Sequence, residues 1–252
     1  MAARYLKSFT GFVLILAVWY GVRKAFDIPS YILPGPVEVF QALCETVRNG
    51  QLFESTVASL FRVTWGFYLA VAVAVPLGMV MGRLKIVRDM VNPVIQFLRP
   101  ISPLAWIPMA LMWFGIGDKP AIFLIFLSAF FPMVVFTLSG VAGIKATFLR
   151  VAENFGLTGR QLYMKVILPA ALPEIIVGLR ITLGTAWLVI VAAEMIAVKS
   201  GLGYLIIDAR NSLRMDKVVA GMLVIGIIGL ILDSIIRLLE RLPWVEWNSR
   251  RR

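Results

Sequence analysis

Long apolar runs alternate with short charged, glycine- or proline-bearing segments along this 252-residue chain. An α-helix needs roughly 20 mainly apolar residues to cross about 30 Å of hydrocarbon. Six runs meet that length, at about 9–26, 57–82, 90–116, 120–143, 174–198 and 217–238. The second run carries Pro76, which a membrane helix tolerates because neighbouring groups satisfy the freed carbonyl. Its Gly78-x-x-x-Gly82 spacing lets another helix approach closely. The third run holds Pro100, Pro103 and Pro108, so an irregular backbone is predicted. Irregular backbone at membrane depth survives only against protein or a watery cavity, which marks this run as the wall of a solute path.

Two segments between the runs carry a different pattern. In "PGPVEVFQALCETVRNGQLFEST", Val37, Phe40, Leu43, Cys44 and Val47 recur at helical spacing, with Glu38, Gln41, Glu45 and Arg48 off that stripe. That pattern predicts an amphipathic helix lying on the outer face. In "NFGLTGRQLYMKVILPAALP" the chain leaves bilayer-grade sequence altogether. Lys145 to Phe155 suits a helix, and Gly156 suits its end because glycine takes positive φ without penalty. Thr158-Gly159-Arg160-Gln161 fits a capping box, the Thr oxygen accepting the Gln161 amide. A second helix is predicted over 159–167, stopped by Pro169 and Pro173. Two short helices about a glycine elbow result. The shape suits a lever docking in a partner's cleft or a connector lying on the membrane surface.

Composition narrows the class. Apolar residues make up 60% and charged residues 15% of the chain, against roughly 45–50% and 25% in soluble domains. This is an integral membrane protein. A net charge of +11 would suggest nucleic acid in a soluble chain, but membrane proteins gather Lys and Arg on cytoplasmic loops, and no nucleic-acid partner is expected. With the N-terminus inside, fourteen basic residues fall on cytoplasmic segments and eight on outer ones. Both termini are therefore expected in the cytoplasm. Arg23 and Lys24 sit awkwardly outside and are expected to snorkel to the interface. The N-terminal run lacks a good small-residue cleavage exit, so it reads as a retained span rather than a signal peptide.

The chain has no His and a single cysteine, Cys44. That leaves no metal cluster, intrachain disulfide or histidine base to build chemistry on. No GxxxxGK[ST], HExxH or GxSxG occurs either, so neither ATP binding by a P-loop nor hydrolysis has a foothold.

Gly156-x9-Val166-Ile167-Leu168-Pro169 resembles the EAA signature (E-A-A-x3-G-x9-I-x-L-P) of ABC importer permeases. The glutamate and first alanine of that signature fall on Arg150 and Val151 here, so any contact made through that glutamate is in doubt. The blocks Arg99–Pro132, Leu168–Arg180 and Ala186–Arg210, with the tail "DSIIRLLERLPWVEW", are similar to the nitrate/sulfonate/taurine branch of that family, over roughly residues 55–245. The resemblance implies an all-α type I ABC importer permease (MetI-like), with about six transmembrane helices and cytoplasmic coupling helices at about 145–172. It divides the chain into 1–56, a first span plus the outer amphipathic helix; 57–240, the permease domain; and 241–252, a basic cytoplasmic tail. The implied partners are a cytoplasmic ABC ATPase dimer, a second copy of the permease, membrane lipid, and a periplasmic or lipid-anchored substrate-binding protein. The implied site is the bacterial inner membrane. ATP and Mg would lie on the ATPase, with no cofactor or catalytic residue in this chain. By the same resemblance, Ala152, Glu153, Phe155, Gly156, Leu157, Thr158, Arg160, Gln161, Leu168 and Pro169 would couple to the ATPase.

For the solute path, ionisable residues at membrane depth come first. Arg99 lies nine residues into the third run, and its planar fork of donors suits an oxyanion; snorkelling or an ion pair would serve it equally. Glu194, in the outer half of the fifth run, would pair with a basic group across a dimer, gate the path, or cap its helix. A carboxylate repels an anion, so a structural or gating pair is the favoured role. Ser102, Trp106 and Trp187 offer hydroxyl and indole donors to the path, while Arg180 reads as an anchor near the cytoplasmic end. A small organic or inorganic anion is the implied solute; bicarbonate, thiamine precursors and aromatic acids are alternatives. A rival of another class is a proton-coupled carrier using Glu194, although no convincing internal repeat accompanies it.

Overall fold

A computed structural model of the chain describes residues 2–240. In order it forms α1 (Ala2–Ala25), α2 (Pro36–Arg48), α3 (Gln51–Arg83), α4 (Lys85–Leu98), a 3-10 turn (Pro103–Trp106), α5 (Ile107–Phe114), α6 (Asp118–Ala142), α7 (Ala146–Asn154), α8 (Gly159–Leu162), a π turn (Tyr163–Ile167), α9 (Leu168–Ala197), α10 (Leu202–Asn211) and α11 (Met215–Glu240). The basic tail expected at 241–252 lies outside the described residues, as does the end of the quoted C-terminal block.

Among the described residues, Gln51–Arg83, Asp118–Ala142, Gly159–Ala197 and Met215–Leu238 are long and apolar enough to cross a membrane. The third expected run is not one straight helix: α4 and the Pro103–Phe114 segment meet at 86°. Pro100 and Pro103 cause the break, since proline supplies no N–H to the ladder and disfavours helical φ/ψ in the residue before it.

The chain divides into two compact units, residues 1–58 with 200–227, and 59–199 with 228–252. In the first, Gly35 caps α2 and Pro36 fills its first position, where a missing N–H costs nothing. Glu38 Oε2 accepts the Gly35 N–H at 3.0 Å, and Glu38 Oε1 receives Arg23 Nη2 at 2.7 Å. Arg23 is thus held by a carboxylate. The face of α2 that packs within the unit lies beside the apolar stripe and shares Leu43 with it. Val39, Ala42 and Thr46 are buried, with Trp19, Val219 and Ala220 in the same cluster, while Val37, Phe40 and Val47 stay exposed. Small side chains let α2 pack closely, and the bulky ones are left outside. Gly201 starts α10, whose Leu202, Leu205, Ile206 and Ala209 are buried.

In the second unit α6 and α9 pack along much of their length. Gly140 and Gly178 make this close: a Cβ on Gly178 would stand 2.7 Å from Phe136 Cβ. The α3 part of this unit meets α6 along a seam of small residues four apart, Gly66, Ala70, Ala74, Gly78 and Gly82. A Cβ on Gly66, Gly78 or Gly82 would lie 2.6, 2.6 or 2.5 Å from Ile125, Thr137 or Val141. Small residues permit such backbone approach where lipid gives helices no hydrophobic reason to associate. The core then closes on Met81, Met133, Val134, Ile167 and Ala171.

Candidate coupling elbow and solute cavity

The elbow follows from helix-end chemistry. Helix α7 stops at Phe155, and Gly156 takes φ +70°. Gly156 N–H donates to Glu153 O at 2.9 Å and Leu157 N–H to Ala152 O at 3.0 Å. This pair of bonds is the Schellman motif, which satisfies the last carbonyls of a helix and needs a left-handed residue between them. Ala152 and Leu157, the positions whose apolar contact usually accompanies this motif, both pack in one core cluster. The inner side of the elbow is thereby anchored through Ala152, Leu157, Leu162, Ile167 and Leu168. The outer side leaves Glu153, Thr158, Arg160, Gln161 and Pro169 exposed, and Phe155 is 80% exposed.

Two expectations for this segment fail. Thr158 makes no side-chain cap; Gln161 N–H reaches the Thr158 backbone carbonyl instead, at 3.2 Å. Nor do Pro169 and Pro173 stop the second helix, which continues from Gly159 to Ala197 as one apolar segment. The π turn explains this. Leu168 N–H bonds five residues back to Tyr163 O, and that shifted register absorbs the N–H that Pro169 lacks. Pro173 lies inside α9, as proline does in membrane helices whose freed carbonyls find other partners.

Glu194 is fully buried, at 0% exposure. Arg62 Nη1 donates to its Oε1 at 2.6 Å, and Ser59 Oγ lies 2.9 and 2.8 Å from its two carboxylate oxygens. Arg62 Nε also reaches Asp118 Oδ1 at 2.7 Å. One guanidinium so ties α3 to α9 and to the first turn of α6. Arg62, Ser59 and Asp118 escape a reading by motif. The available signal was an arginine inside an apolar run, which demands a carboxylate partner. Arg180 is also paired: its Nε lies 2.7 Å from Asp233 Oδ1.

Arg99 closes α4 at the break and has no ion pair or side-chain hydrogen bond among the described residues. With Trp106 it lines a cavity of about 270 Å³, completed by Ser128, Phe131, Thr185 and Leu188 among others. Ser102 does not line it; its oxygen accepts the Leu104 N–H at 3.3 Å and starts the 3-10 turn. Trp187 is buried and stacked against Gly229, where a Cβ would lie 3.1 Å from the indole. The structure therefore brings Arg99 and Trp106 together, and sets Ser102, Trp187 and Glu194 elsewhere. Among the described residues no cluster of His, Cys, Asp and Glu could hold a metal.

Residues 74–244 match the family described as binding-protein-dependent transport system inner membrane components. A putative ABC transporter permease of Methanocaldococcus jannaschii is 45% identical over 232 residues, covering 90% of this chain and 86% of that one. The taurine transport system permease TauC of Escherichia coli is 38% identical over 238 residues, covering 92% and 86%. In structure, the chain is similar to one from the inward-facing methionine ABC transporter MetNI, with a TM-score of 0.58 over 73% of this chain and 94% of that one at 20% identity. That likeness bears on the fold: an all-α permease of the MetI type, as the sequence blocks imply.

Proposed function

The chain belongs to the family of binding-protein-dependent transport system inner membrane components, and on that premise we propose that it is the path-forming subunit of an ATP-driven importer for a small anion of the sulfonate, taurine or nitrate type. The observation that carries this reading is the anchored elbow at Gly156, with Phe155 standing outward. In the proposal this elbow docks on a cytoplasmic ABC ATPase, which binds ATP and Mg. The exposed Glu153, Thr158, Arg160, Gln161 and Pro169 would share the docking face with Phe155, and Ala152, Gly156, Leu157 and Leu168 would hold it rigid.

Closure of the ATPase would move the elbow, and a stiff elbow transmits displacement that a flexible one would absorb. The attached spans would then shift between inward- and outward-open arrangements, a population change limited by the difference in affinity for the two. Six spans with both termini in the cytoplasm, counting α1 and the α4–α5 pair, suit the basic residues gathered on the inner segments. A second, identical copy would complete the path, and an external binding protein would deliver the solute. The path itself is assigned to the cavity beside the α4–α5 break, with Arg99 and Trp106 on its wall. Ser102 would shape the break, while Trp187 and Glu194 support the path from behind.

Reconstitution with the partner ATPase and binding protein tests this reading. Uptake of taurine, an alkanesulfonate or nitrate should be blocked by vanadate and survive collapse of the proton gradient. A cysteine at Phe155 should crosslink to the ATPase. Uptake by the chain alone, or crosslinks only to lipid, would overturn it.

A further inference from the structure

Four arginines lie within the apolar runs of the second unit, and three of them, Arg62, Arg180 and Arg237, have carboxylate partners. Arg62 is held by Glu194 and Asp118, and Arg180 by Asp233. Arg99 has no carboxylate among the described residues. Arg99 is exposed, so its guanidinium stands open to a charge from outside the chain. Arg99 is also the one of the four that lines the cavity of about 270 Å³. We infer that this cavity is an anion subsite in which Arg99 is the specificity-determining residue, and that its ligand is a small organic monoanion: one oxyanionic head on a short apolar body. The inference rests on the importer reading and names the chemistry its path selects.

Each part of the class follows from the wall. One guanidinium with no second cation balances one negative charge, and its planar fork matches a sulfonate or carboxylate edge through two parallel bonds. The hydroxyls offer the head little more. Ser128 Oγ is 2.7 Å from Ile125 O and Thr185 Oγ1 is 2.9 Å from Thr182 O, so both donate into their own helices. Most of the remaining wall is apolar, including Leu127, Phe131 and Leu188. An inorganic oxyanion needs donors on every side and would leave its outer oxygens unsolvated there. An alkyl or aryl body fills the same space favourably. The volume lies just under the range of about 300–1,000 Å³ for drug-sized ligands, which suits a body of a few carbons.

Charged thiol reagents test this without knowledge of the natural solute. In the full chain reconstituted in liposomes, Cys44→Ser removes the native thiol and Thr185→Cys places one in the cavity wall; Leu188→Cys is the second position should the first fail to fold. Anionic sulfonatoethyl methanethiosulfonate should label this thiol about tenfold faster than the cationic trimethylammonioethyl reagent, as expected for one positive charge nearby. In Arg99→Gln that preference should vanish. Butanesulfonate should slow labelling by the anionic reagent severalfold, and equimolar nitrate should not. A preference unchanged by Arg99→Gln, or thiols that no reagent reaches at either position, would overturn the site; equal protection by nitrate would overturn the organic class. These outcomes are independent of ATPase docking. If the site holds while the Phe155 crosslink fails, the importer reading falls and the anion site stands; if the crosslink forms while labelling is indifferent to Arg99, the reverse holds.

Discussion

Arg62 Nη1 stands 2.6 Å from Glu194 Oε1, with both side chains essentially sealed from solvent, at 3% and 0% exposure. Moving two charges out of water costs several kcal/mol each, and attraction offsets it only where other bonds complete both groups. That completion is visible here, with Ser59 on both carboxylate oxygens and Asp118 on the second face of the guanidinium. The Arg62 guanidinium offsets the charge of this carboxylate, which suits the structural pair expected of Glu194.

Breaking this pair from one side strands a buried charge. Arg62→Met or Glu194→Leu alone should cost about 3–5 kcal/mol of stability, whereas the double variant should recover most of the loss. Unfolding of the purified permease in mixed micelles measures it. Equal, additive losses would mean that the two residues stabilise the fold independently.

The seam of α3 against α6 makes a second prediction. Gly66→Val, Gly78→Val and Gly82→Val each drive atoms into positions that Ile125, Thr137 and Val141 occupy. Each should destabilise by about 1–3 kcal/mol, the usual cost of overpacking. Gly226→Ala, where a Cβ meets nothing within 4 Å, should be neutral or mildly stabilising. Melting temperatures of the four variants settle the comparison.

How much of this was legible beforehand depends on which force set each feature. Apolar length alone marks α3, α6, α9 and α11, because hydrocarbon thickness fixes it. The Gly156 elbow was legible because only a left-handed position makes glycine necessary there. Its continuation was not, since the sequence shows prolines but not the π turn that accommodates Pro169. On α2 the spacing of large apolar residues marked the amphipathic helix, but not the second, small-residue face of Val39, Ala42 and Thr46 that packs within its unit. Arg62 and Glu194 are 132 positions apart, a distance that periodicity cannot span. Arg99 was readable as a candidate from charge at membrane depth; its want of a partner needed the fold.

Acid should loosen α2 in the first unit. Glu45 accepts hydrogen bonds from Arg214 and Lys217, each 2.8 Å away, and these hold its carboxyl below the ordinary 4.5. The Gly35 N–H, then Arg23, lower Glu38 likewise. A lowered folded value means that the contribution is fully present above about 4.5 and is lost as pH falls through the folded value. Amide exchange of α2, corrected for intrinsic rates, should therefore rise between pH 6 and pH 3.5. Glu38→Gln/Glu45→Gln should abolish that rise; a rise that persists would place its origin elsewhere.

The elbow offers a test of backbone conformation free of packing. Nothing lies within 4 Å of a Cβ on Gly156, yet its φ is +70°. Gly156→Val meets open space and an unfavourable left-handed backbone, which costs about 1–2 kcal/mol or more for a β-branched residue. Gly156→Asn meets the same space with a residue that enters this region readily. In the reconstituted transporter, solute moved per ATP hydrolysed should fall severalfold in Gly156→Val and stay near the parent value in Gly156→Asn. Pro169→Ala should lower it less than Gly156→Val does, because the helix already runs through that position. If Val and Asn behave alike, the turn's left-handed geometry does not carry the coupling. A large loss in Pro169→Ala would instead place the mechanical constraint in the π turn that precedes it.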